Sequence, residues 1–250
     1  MPRVGVIGGS GLDDPHILID ATEIEVDTPY GEPSSALTCG EIGGVEVRLL
    51  ARHGTEHQLS PTQVNYQANI HALCQQNVTH IIATTACGSL REEIDRGHLV
   101  IADQFIDFTR HRKITFRESF SDEAGHTAMA DPFDGRLRQL LIEEAEELGY
   151  VTHHNGTIIT IEGPRFSTRA ESKMFRIWGA DVINMSIAPE AILANEMEIP
   201  YAVVAMSTDY DCWKEDEEPV SWDEILKVFE ENADHVKNLL SHVIPRVATP

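Results

Sequence analysis

The sequence predicts an α/β fold with a largely buried central sheet. Short apolar runs alternate with segments of helical periodicity along the whole chain, a rhythm that is typical of strands connected by helices. Of the 250 residues, 42% are hydrophobic, which is sufficient for an ordinary globular core. Because no repeat and no Ser/Gly/Pro-rich linker interrupts the sequence, we expect one domain that spans residues 1–250.

The predicted strands share one feature, since most of them end in small, polar or charged residues. Strands are predicted at residues 4–7, 45–51, 80–85, 157–161, 182–185 and from residue 201 onward, and five of them lead into the segments GGSG, RHG, TACGS, EGPR and STDYD. In α/β sheets, ligands bind beyond the carboxyl ends of the strands, where backbone N–H groups and loop side chains converge. These five strand ends therefore form the candidate site.

The helices are predicted from apolar spacing and from their end signals. Val64, Ala68 and Ala72 recur at intervals of four residues, and Gly149 follows an acidic segment at the position where glycine commonly ends a helix. Helices are accordingly predicted at residues 63–76, 137–148, 168–178, 190–197 and 222–243.

The sequence is strongly acidic, with 41 Asp and Glu against 19 Lys and Arg and a formal net charge of −22. Such a surface repels the phosphates of nucleic acids and anionic membranes, so we expect neither as a partner. Two interpretations of the acidity stay open, adaptation to a high-salt habitat and an ordinary acidic cytosolic protein. No signal peptide begins the sequence and no apolar run approaches the ~18 residues of a membrane span, so a cytoplasmic location is expected.

Neither disulfides nor a metal centre are expected. The four cysteines are widely spaced, form no C-x-x-C pair and mostly lie in or beside apolar runs, which fits reduced thiols. His153 and His154 are adjacent instead of being spaced to share one face of a helix, and no H-E-x-x-H motif occurs. We therefore expect no metal ion and no bound cofactor.

The glycine-rich segment after the first predicted strand suits a single phosphate group better than a dinucleotide. A dinucleotide-binding fingerprint would need a third glycine at the position of Asp14 and a helix directly afterwards, which the polar break at residues 13–15 disfavours. Glycines let backbone N–H groups approach an anion, and Ser10 adds a hydroxyl donor. A tight turn without a ligand is an equally good interpretation of this segment alone.

Two further strand ends carry groups that suit an oxyanion. Arginine can bind phosphate through two parallel N–H donors, and a neighbouring histidine can donate or shuttle a proton, so Arg52 and His53 are candidate phosphate ligands. Thr85 and Ala86 would add a hydroxyl and backbone N–H groups. Each has a simpler interpretation, since Arg52 could pair with one of the many acids and threonine favours strands anyway. Together, the three strand ends favour a phosphate or a phosphate-like ligand.

Asp209 and Asp211 stand two residues apart at the end of an apolar run, and therefore point to the same face of a predicted strand. Two neighbouring carboxylates are costly unless they share a ligand, a metal ion or a proton. A protonated carboxyl matches the Hoogsteen edge of adenine, because it donates to N7 and accepts from the N6 amino group. The pair thus suggests recognition of a 6-aminopurine with a built-in acid. The surrounding sequence gives less support to a metal site or to a sugar-nucleotide D-x-D motif.

Phe166 and Met185 are candidate contacts to the rest of such a ligand, because both lie beside predicted strand ends. Phe166 could stack on a planar ring, and Met185 could cover an apolar sugar face. Packing in the protein core is the commoner role of both residue types.

Seven segments of the sequence are distinctive when they are taken together. They are VIGGSGL at residues 6–12, LARHG at 50–54, VNYQAN at 64–69, TTACGSLREE at 84–93, IEGPRFS at 161–167, WGADVINM at 178–185 and STDYDCWK at 207–214. In this order, and over essentially the whole chain, they closely resemble the S-methyl-5'-thioadenosine phosphorylase family. The resemblance implies the trimeric purine nucleoside phosphorylase-like fold, an α/β domain with a mixed, partly barrel-like sheet flanked by helices. A hexamer is the alternative assembly.

The resemblance also implies a role for each candidate residue. The phosphate shell would consist of Ser10, Arg52, His53, Thr85, Ala86 and Ser186, Met185 would contact the ribose, Phe166 would wall the purine pocket, Asp209 and Asp211 would bind the adenine, and His126 would reach into the pocket of the next subunit. Ser10 and Ser186 stand where relatives often have threonine, a change that keeps the hydroxyl group. Sister enzymes that prefer 6-oxo nucleosides lack the aspartate pair, which agrees with the interpretation of this pair as the adenine site.

The activity that the resemblance implies is phosphorolysis of S-methyl-5'-thioadenosine to adenine and 5-methylthioribose 1-phosphate, with inorganic phosphate as co-substrate. Asp209, with Asp211 beside it, would act as the general acid at N7, and phosphate held at Arg52 would attack C1' of the sugar. Eukaryotic relatives continue into a further C-terminal helix that helps to close the neighbour's methylthio pocket, whereas this sequence ends at Pro250. A broader purine nucleoside phosphorylase that accepts adenosine or methylthioinosine is therefore the nearest alternative. A non-catalytic nucleotide-binding module is an alternative of another class.

Overall fold

The structure, a computed structural model, describes residues 2–9, 17–119, 125–216 and 222–248, and within them all side chains except those of residues 222–226 and 229–231. The strands of this part of the chain are β1 (Arg3–Gly8), β2 (Ile19–Ile24), β3 (Leu37–Ile42), β4 (Val45–Ala51), β5 (His80–Ser89), β6 (Leu99–Ile101), β7 (Gln104–Phe108), β8 (Thr152–His153), β9 (Thr157–Ile161), β10 (Val182–Asn184) and β11 (Tyr201–Tyr210). The helices are α1 (Tyr66–Gln75), α2 (Gly135–Glu147), α3 (Arg169–Ile177), α4 (Ile187–Glu196) and α5 (Trp222–Val247).

A mixed sheet connects all of these strands and has β5 at its centre. The order on one side of β5 is β1, β4, β3 and β2, where β1 is parallel to both of its neighbours and the outer strands are antiparallel. β10, β9 and β7 follow β5 in the other direction, and β11 links β5 to β6 and β8. The predicted α/β class with a mixed sheet flanked by helices is confirmed.

The two edges of β5 are occupied differently, and this difference creates the space for a site. Along one edge, β11 runs parallel to β5 from Ile81 to Ser89. Along the other edge, β1 pairs with β5 as far as Ala83, and β10 joins at Gly88 and Ser89. Residues 84–87 therefore have no strand partner on this edge within the part of the chain that the structure describes. A gap separates the end of β1 from β10.

Helices cover both faces of the sheet, and β11 shows how the sequence encodes this arrangement. The side chains at positions 202, 204 and 206 are buried with those of α2 and α5, whereas those at positions 201, 203 and 205 are buried with those of α1 and α4. Because successive side chains of a strand point to opposite faces, a strand that is covered on both faces requires an uninterrupted apolar run. A third cluster, around Phe175, packs α3 beside β9 and β10.

Two helices begin three residues away from the predicted position, and each shift has a local cause. α1 begins later than predicted, at Tyr66, because the side chain of Asn65 caps it by accepting a hydrogen bond from the backbone N–H of Ala68. α4 begins earlier than predicted, at Ile187. Pro189 lies in the first turn of α4, where a helix needs no N–H donor, so the proline does not delay the helix.

The sequence pattern does not predict five of the strands, namely β2, β3, β6, β7 and β8. β2 is almost entirely exposed and carries two acids, so it lacks an apolar alternation and forms through its pairing with β3. β6 and β8 have three and two residues. Hydrophobic periodicity carries little information at such lengths, and long-range pairing decides the structure instead.

The four cysteines all have free thiols. Cys87 is buried in β5, and its burial, reinforced by the charge of Asp209, raises the pKa of its thiol well above the ordinary value. Among the helices that the structure describes, none is both long and apolar enough to cross a membrane.

Candidate active site

A cavity of about 410 Å³ lies at the gap beside β5, and its volume falls in the range of pockets that bind small molecules. Its wall consists of Gly9, Arg52, His53, His57, Pro61, Thr85, Ala86, Cys87, Gly88, Ile161, Pro164, Phe166, Ser167, Ile183, Asn184, Met185, Ser186, Thr208, Asp209 and Asp211. Each of the five strand-end segments singled out from the sequence contributes to this wall. The structure therefore brings them together at one place.

Arg52 occupies the gap between β1 and β10. It directly follows β4, and its Nη1 donates a hydrogen bond of 2.8 Å to the carbonyl oxygen of Thr84, in the stretch of β5 that β1 and β10 leave unpaired. Nη1 also lies 2.9 Å from the position that a Cβ atom at Gly9 would take, so glycine is needed there to make room for the guanidinium. Arg52 is 1% exposed, yet it forms part of the cavity wall.

Glu190 holds the guanidinium of Arg52 from behind the cavity wall. Nε and Nη2 of Arg52 donate to the two oxygens of the Glu190 carboxylate, at 2.5 and 3.0 Å, and the hydroxyl of Tyr201 donates to Oε2 at 2.8 Å. Burial by itself disfavours the charged guanidinium, but the charge and the hydrogen bonds of Glu190 outweigh it and raise the pKa of Arg52. Arg52 thus pairs with an acid, as the simpler interpretation of the sequence proposed, and still faces the cavity.

The N-terminus of α4 reaches the cavity close to Thr85. Ser186 is the N-cap residue of α4, and its side chain makes no capping hydrogen bond, so its hydroxyl is available to the cavity. Asn184, two residues earlier, donates to the hydroxyl of Thr85 at 3.4 Å and so ties the two segments together. The unsatisfied N–H groups and partial positive charge at a helix N-terminus favour an anion.

His53 faces the cavity as a hydrogen-bond acceptor at neutral pH. Its Nδ1 lies 2.9 Å from the carbonyl oxygen of Leu59, and because a carbonyl can only accept, Nδ1 carries the hydrogen and Nε2 carries none. Burial, reinforced by the charge of Arg52, lowers the pKa of His53 from 6.5 to about 4. The neutral imidazole therefore offers the lone pair of Nε2 to the occupant of the cavity, and the role of His53 in donating or shuttling a proton stays a prediction.

Asp209 and Asp211 both line the cavity, in agreement with the single face that their spacing of two residues predicts. A β-bulge between Ser207 and Asp209 re-aims the end of β11, and Asp211 lies one residue beyond the strand. The hydroxyl of Thr208, the bulged residue, donates to Oδ1 of Asp209 at 2.8 Å. The bulge thus both turns the two carboxylates toward the cavity and supplies a donor to one of them.

Gly88 of β5 lets the two carboxylates come close to the strand. A Cβ atom at this position would lie 3.1 Å from Oδ2 of Asp209 and 3.6 Å from Cβ of Asp211. Oδ2 of Asp211 is buried and has no hydrogen-bond partner among the described residues. Because a buried carboxylate oxygen without a donor is costly, this atom indicates that a ligand donor completes the site.

Phe166 and Met185 form the apolar part of the wall. Phe166 is 42% exposed, so it is not a residue of the core. The sulfur of Met185 lies 2.5 Å from the position that a Cβ atom at Gly163 would take, and the φ of +64° at Gly163 also favours glycine. The thioether therefore packs directly on the backbone of this turn and presents a fixed apolar surface.

Some residues of the wall were not singled out from the sequence. The ring of His57 lies 4.7 Å from that of His53, and the H-x-x-x-H spacing of the two histidines was the available signal. Ser167 has a buried hydroxyl without a hydrogen-bond partner among the described residues. No sequence signal distinguishes Ser167 from an ordinary loop serine, because its burial depends on segments that are distant in the chain, such as the one around Cys212.

Two of the predicted site residues are not among the described residues of this wall. Ser10 lies outside the described residues. His126 is exposed and is not among the residues that line the cavity, and its role toward a neighbouring subunit stays a prediction. Within the part of the chain that the structure covers, no group of three or more His, Cys, Asp or Glu is placed to hold a metal ion.

Comparisons with known proteins point to one family. Residues 3–245 match the model of the phosphorylase superfamily. The S-methyl-5'-thioadenosine phosphorylase of Xenopus tropicalis is 56% identical over 98% of this chain and 89% of its own length. The corresponding protein of Danio rerio is 54% identical over the same shares of the two chains.

A solved structure of a relative has nearly the same backbone. The methylthioadenosine phosphorylase of Schistosoma mansoni in complex with adenine superimposes with a TM-score of 0.95 at 39% identity, and the match covers 100% of this chain and 93% of that one.

The protonation of His53 leads to a testable pH dependence of stability. Its pKa is lowered from 6.5 to about 4 in the folded protein, so between these values the unfolded chain binds a proton that the folded chain does not. The free energy of unfolding should therefore fall with decreasing pH in this window, by up to about 1.4 kcal/mol per pH unit from this residue.

His53→Asn isolates this contribution, because its side-chain amide can still donate to the carbonyl of Leu59 but does not titrate. Urea unfolding at a series of pH values should show a shallower loss of stability for the variant than for the wild type. His242→Asn, at an exposed position of α5, is the control. Equal slopes for His53→Asn and the wild type would contradict the assignment of a neutral His53.

Proposed function

Because the chain belongs to the phosphorylase superfamily and, within it, to the S-methyl-5'-thioadenosine phosphorylase family, we propose that it converts S-methyl-5'-thioadenosine and phosphate to adenine and 5-methylthioribose 1-phosphate. One observation in this chain supports the activity of the family. The same cavity holds a pair of carboxylates, Asp209 and Asp211, and an anion-binding wall around Arg52 and the N-terminus of α4. A reaction between a purine nucleoside and phosphate needs both.

The carboxylates suit the Hoogsteen edge of adenine. Thr208 already donates to Oδ1 of Asp209, so a proton on this carboxyl group belongs on Oδ2, from where it can be donated to N7. Oδ1 has a further lone pair for one N6 hydrogen. The unpartnered Oδ2 of Asp211 can accept the other N6 hydrogen, which would satisfy this buried atom. A 6-oxo purine has no hydrogen to offer at this position.

Phosphate, the second reactant, would be bound by hydrogen-bond donors of the backbone and of Arg52. Two N–H bonds of the guanidinium are not used by Glu190 or Thr84, and the N-terminus of α4 with Ser186 adds further donors. Thr85 and Ala86 line the same part of the wall from the unpaired stretch of β5, where the hydroxyl of Thr85 donates to the carbonyl oxygen of Ala86 at 2.9 Å. Nε2 of His53 would accept the hydrogen of a phosphate hydroxyl. Ser10 stays a predicted member of this shell.

In the reaction, the bond between C1' of the sugar and N9 of the purine breaks, and its electron pair goes to the purine. The proton that Asp209 donates to N7 neutralises this charge. A phosphate oxygen then forms the new bond to C1', while the remaining phosphate charge stabilises the positive sugar. The protein contributes position and fixed electrostatics, with Met185 against the ribose and Phe166 against the base. No step calls for a cofactor.

A broader substrate range is the second candidate, and one finding favours it. A related structure from Schistosoma mansoni, with a TM-score of 0.94 and 38% identity over 100% of this chain and 93% of that one, is an adenosine/methylthioadenosine phosphorylase mutant in complex with methylthioadenosine. Acceptance of adenosine by the present chain would follow from an equally permissive 5' end of the pocket, and acceptance of methylthioinosine from a carboxylate pair that tolerates a 6-oxo group.

The assembly and the location belong to the same proposal. We expect residues 1–250 to act as one catalytic domain, in a homotrimer in which His126 completes the pocket of the neighbouring subunit, with a hexamer as the alternative. A cytoplasmic location fits an enzyme that recycles a nucleoside. Nucleic acid and membranes are not expected partners of a chain with a net charge of −22.

The activity is tested by the release of free base from methylthioadenosine, adenosine, methylthioinosine and inosine, each with and without phosphate. We expect release of adenine that depends on phosphate and is fastest from methylthioadenosine. Equal rates with adenosine would establish the broader enzyme. Release without phosphate would mean hydrolysis and would contradict the anion site at Arg52.

The role of Asp209 is tested by Asp209→Asn. An asparagine amide still matches N6 and N7 of adenine, so KM for the nucleoside should change by less than about threefold, whereas loss of the acidic proton should lower kcat by ~10²–10⁴-fold. Steady-state kinetics measure both constants. Asp134→Asn is the matched control, because asparagine also serves as a helix N-cap and residue 134 caps α2 away from the cavity. An unchanged kcat in Asp209→Asn would exclude the general-acid role.

A further inference from the structure

Glu190 is a buried acid that does not touch the cavity. Its side chain is 0% exposed, and it is not among the described residues that line the wall. It makes three hydrogen bonds, two with the guanidinium of Arg52 and one with the hydroxyl of Tyr201. The two residues that it contacts lie on other elements, at the end of β4 and at the start of β11, so Glu190 joins three parts of the fold.

Glu190 and Thr84 leave two N–H bonds of Arg52 without a partner in this network. A guanidinium has five N–H bonds. Those on Nε and on one side of Nη2 go to Glu190, and one on Nη1 goes to the carbonyl of Thr84. One N–H bond on each terminal nitrogen remains, and because the Glu190 carboxylate and Thr84 fix the plane of the group, the direction of both is fixed as well.

We propose that Glu190 is a positioning residue for the phosphate co-substrate, and that it acts through Arg52. This inference rests on the proposed function. The carboxylate holds the guanidinium in one orientation, so that its two remaining N–H bonds form a ready pair of donors for two phosphate oxygens. The pair of charges is neutral overall, so phosphate is bound by aimed hydrogen bonds instead of by a mobile positive charge.

Tyr201 holds the Glu190 carboxylate in turn. Its hydroxyl donates to the same carboxylate oxygen that receives Nη2 of Arg52, at 2.8 Å. Burial, and then the charge of Glu190, raise the pKa of Tyr201 well above its ordinary value, so the hydroxyl keeps its hydrogen and stays a donor. Tyr201 therefore limits the rotation of the Glu190 carboxylate, and its removal should loosen the orientation of Arg52 without removing the charge pair.

A purely structural ion pair is the competing explanation, and the chain offers a matched control for it. Glu144 of α2 is also buried, with its side chain 9% exposed, and accepts a hydrogen bond of 2.9 Å from Nη1 of Arg246. Neither Glu144 nor Arg246 is among the described residues that line the cavity. Shortening either acid by one methylene group keeps the charge and displaces the carboxylate, so Glu190→Asp spoils the two-oxygen contact with Arg52 and Glu144→Asp spoils the single contact with Arg246.

Two measurements on the full chain distinguish the explanations. The first is the KM for phosphate and for methylthioadenosine. Glu190→Asp should raise the KM for phosphate by about tenfold or more and change the KM for the nucleoside by less than about twofold, whereas Glu144→Asp should change neither. The second is the rise in Tm that inorganic phosphate alone causes, which does not depend on turnover. This rise should be lost in Glu190→Asp and kept in Glu144→Asp.

The outcomes separate this inference from the proposed function. Absence of adenine release from the wild type would contradict the function, and the Tm measurement with phosphate would still decide about Glu190. The inference is overturned if phosphate does not raise the Tm of the wild type, if Glu190→Asp keeps the wild-type rise and KM, or if both Asp variants lose them equally. Should Glu190→Asp not fold, Tyr201→Phe decides. In Tyr201→Phe, a rise of about threefold in the KM for phosphate, with no change in the KM for the nucleoside, supports the inference. An unchanged KM for phosphate overturns it.

Discussion

The buried ion pair between Arg52 and Glu190 is the interaction on which the architecture of the site depends. It crosses the gap that β1 and β10 leave beside β5 and links the end of β4 to the first turn of α4. A buried guanidinium without this partner would be strongly unfavourable, since breaking a buried pair typically costs about 3–5 kcal/mol. Glu190 lies in the first turn of α4, where a helix favours acidic side chains. One contact therefore closes the gap, orients α4 and fixes the guanidinium.

The cavity wall has two different electrostatic environments. Arg52 is neutralised by Glu190, and His53 is neutral because burial and Arg52 lower its pKa. In the proposed function, an anion in this part of the cavity would therefore be bound by N–H groups of the backbone, a helix terminus and a fixed guanidinium. The carboxylates of Asp209 and Asp211 occupy another part of the wall and offer acceptors to an amino group. Such a division explains how a protein with a net charge of −22 can bind phosphate beside two of its own acids.

Much of the fold and of the cavity wall could be predicted because the signals are local. An apolar run followed by glycine or a charged residue marks a buried strand and its end, and the spacing of Asp209 and Asp211 marks a shared ligand space. The bulge at Thr208, which turns these acids into the cavity, has no such signal. The contact between Glu190 and Arg52 could not be predicted either, since 138 positions separate the two residues and only the packing of α4 brings them together. β2 was not predicted for a similar reason. It is an exposed, acidic edge strand that forms by pairing with its neighbour, and its own sequence has no strand pattern.

The central claim is that the site is formed in advance, with a fixed Arg52–Glu190 pair at one end and the two aspartates at the other. A crystal structure with adenine and phosphate bound tests it most directly. We predict that N7 and N6 of adenine lie within about 3 Å of carboxylate oxygens of Asp209 and Asp211, that phosphate contacts the two remaining N–H bonds of Arg52, and that both hydrogen bonds to Glu190 persist. A guanidinium that leaves Glu190 to meet the phosphate, or an anion bound elsewhere in the cavity, would contradict the account.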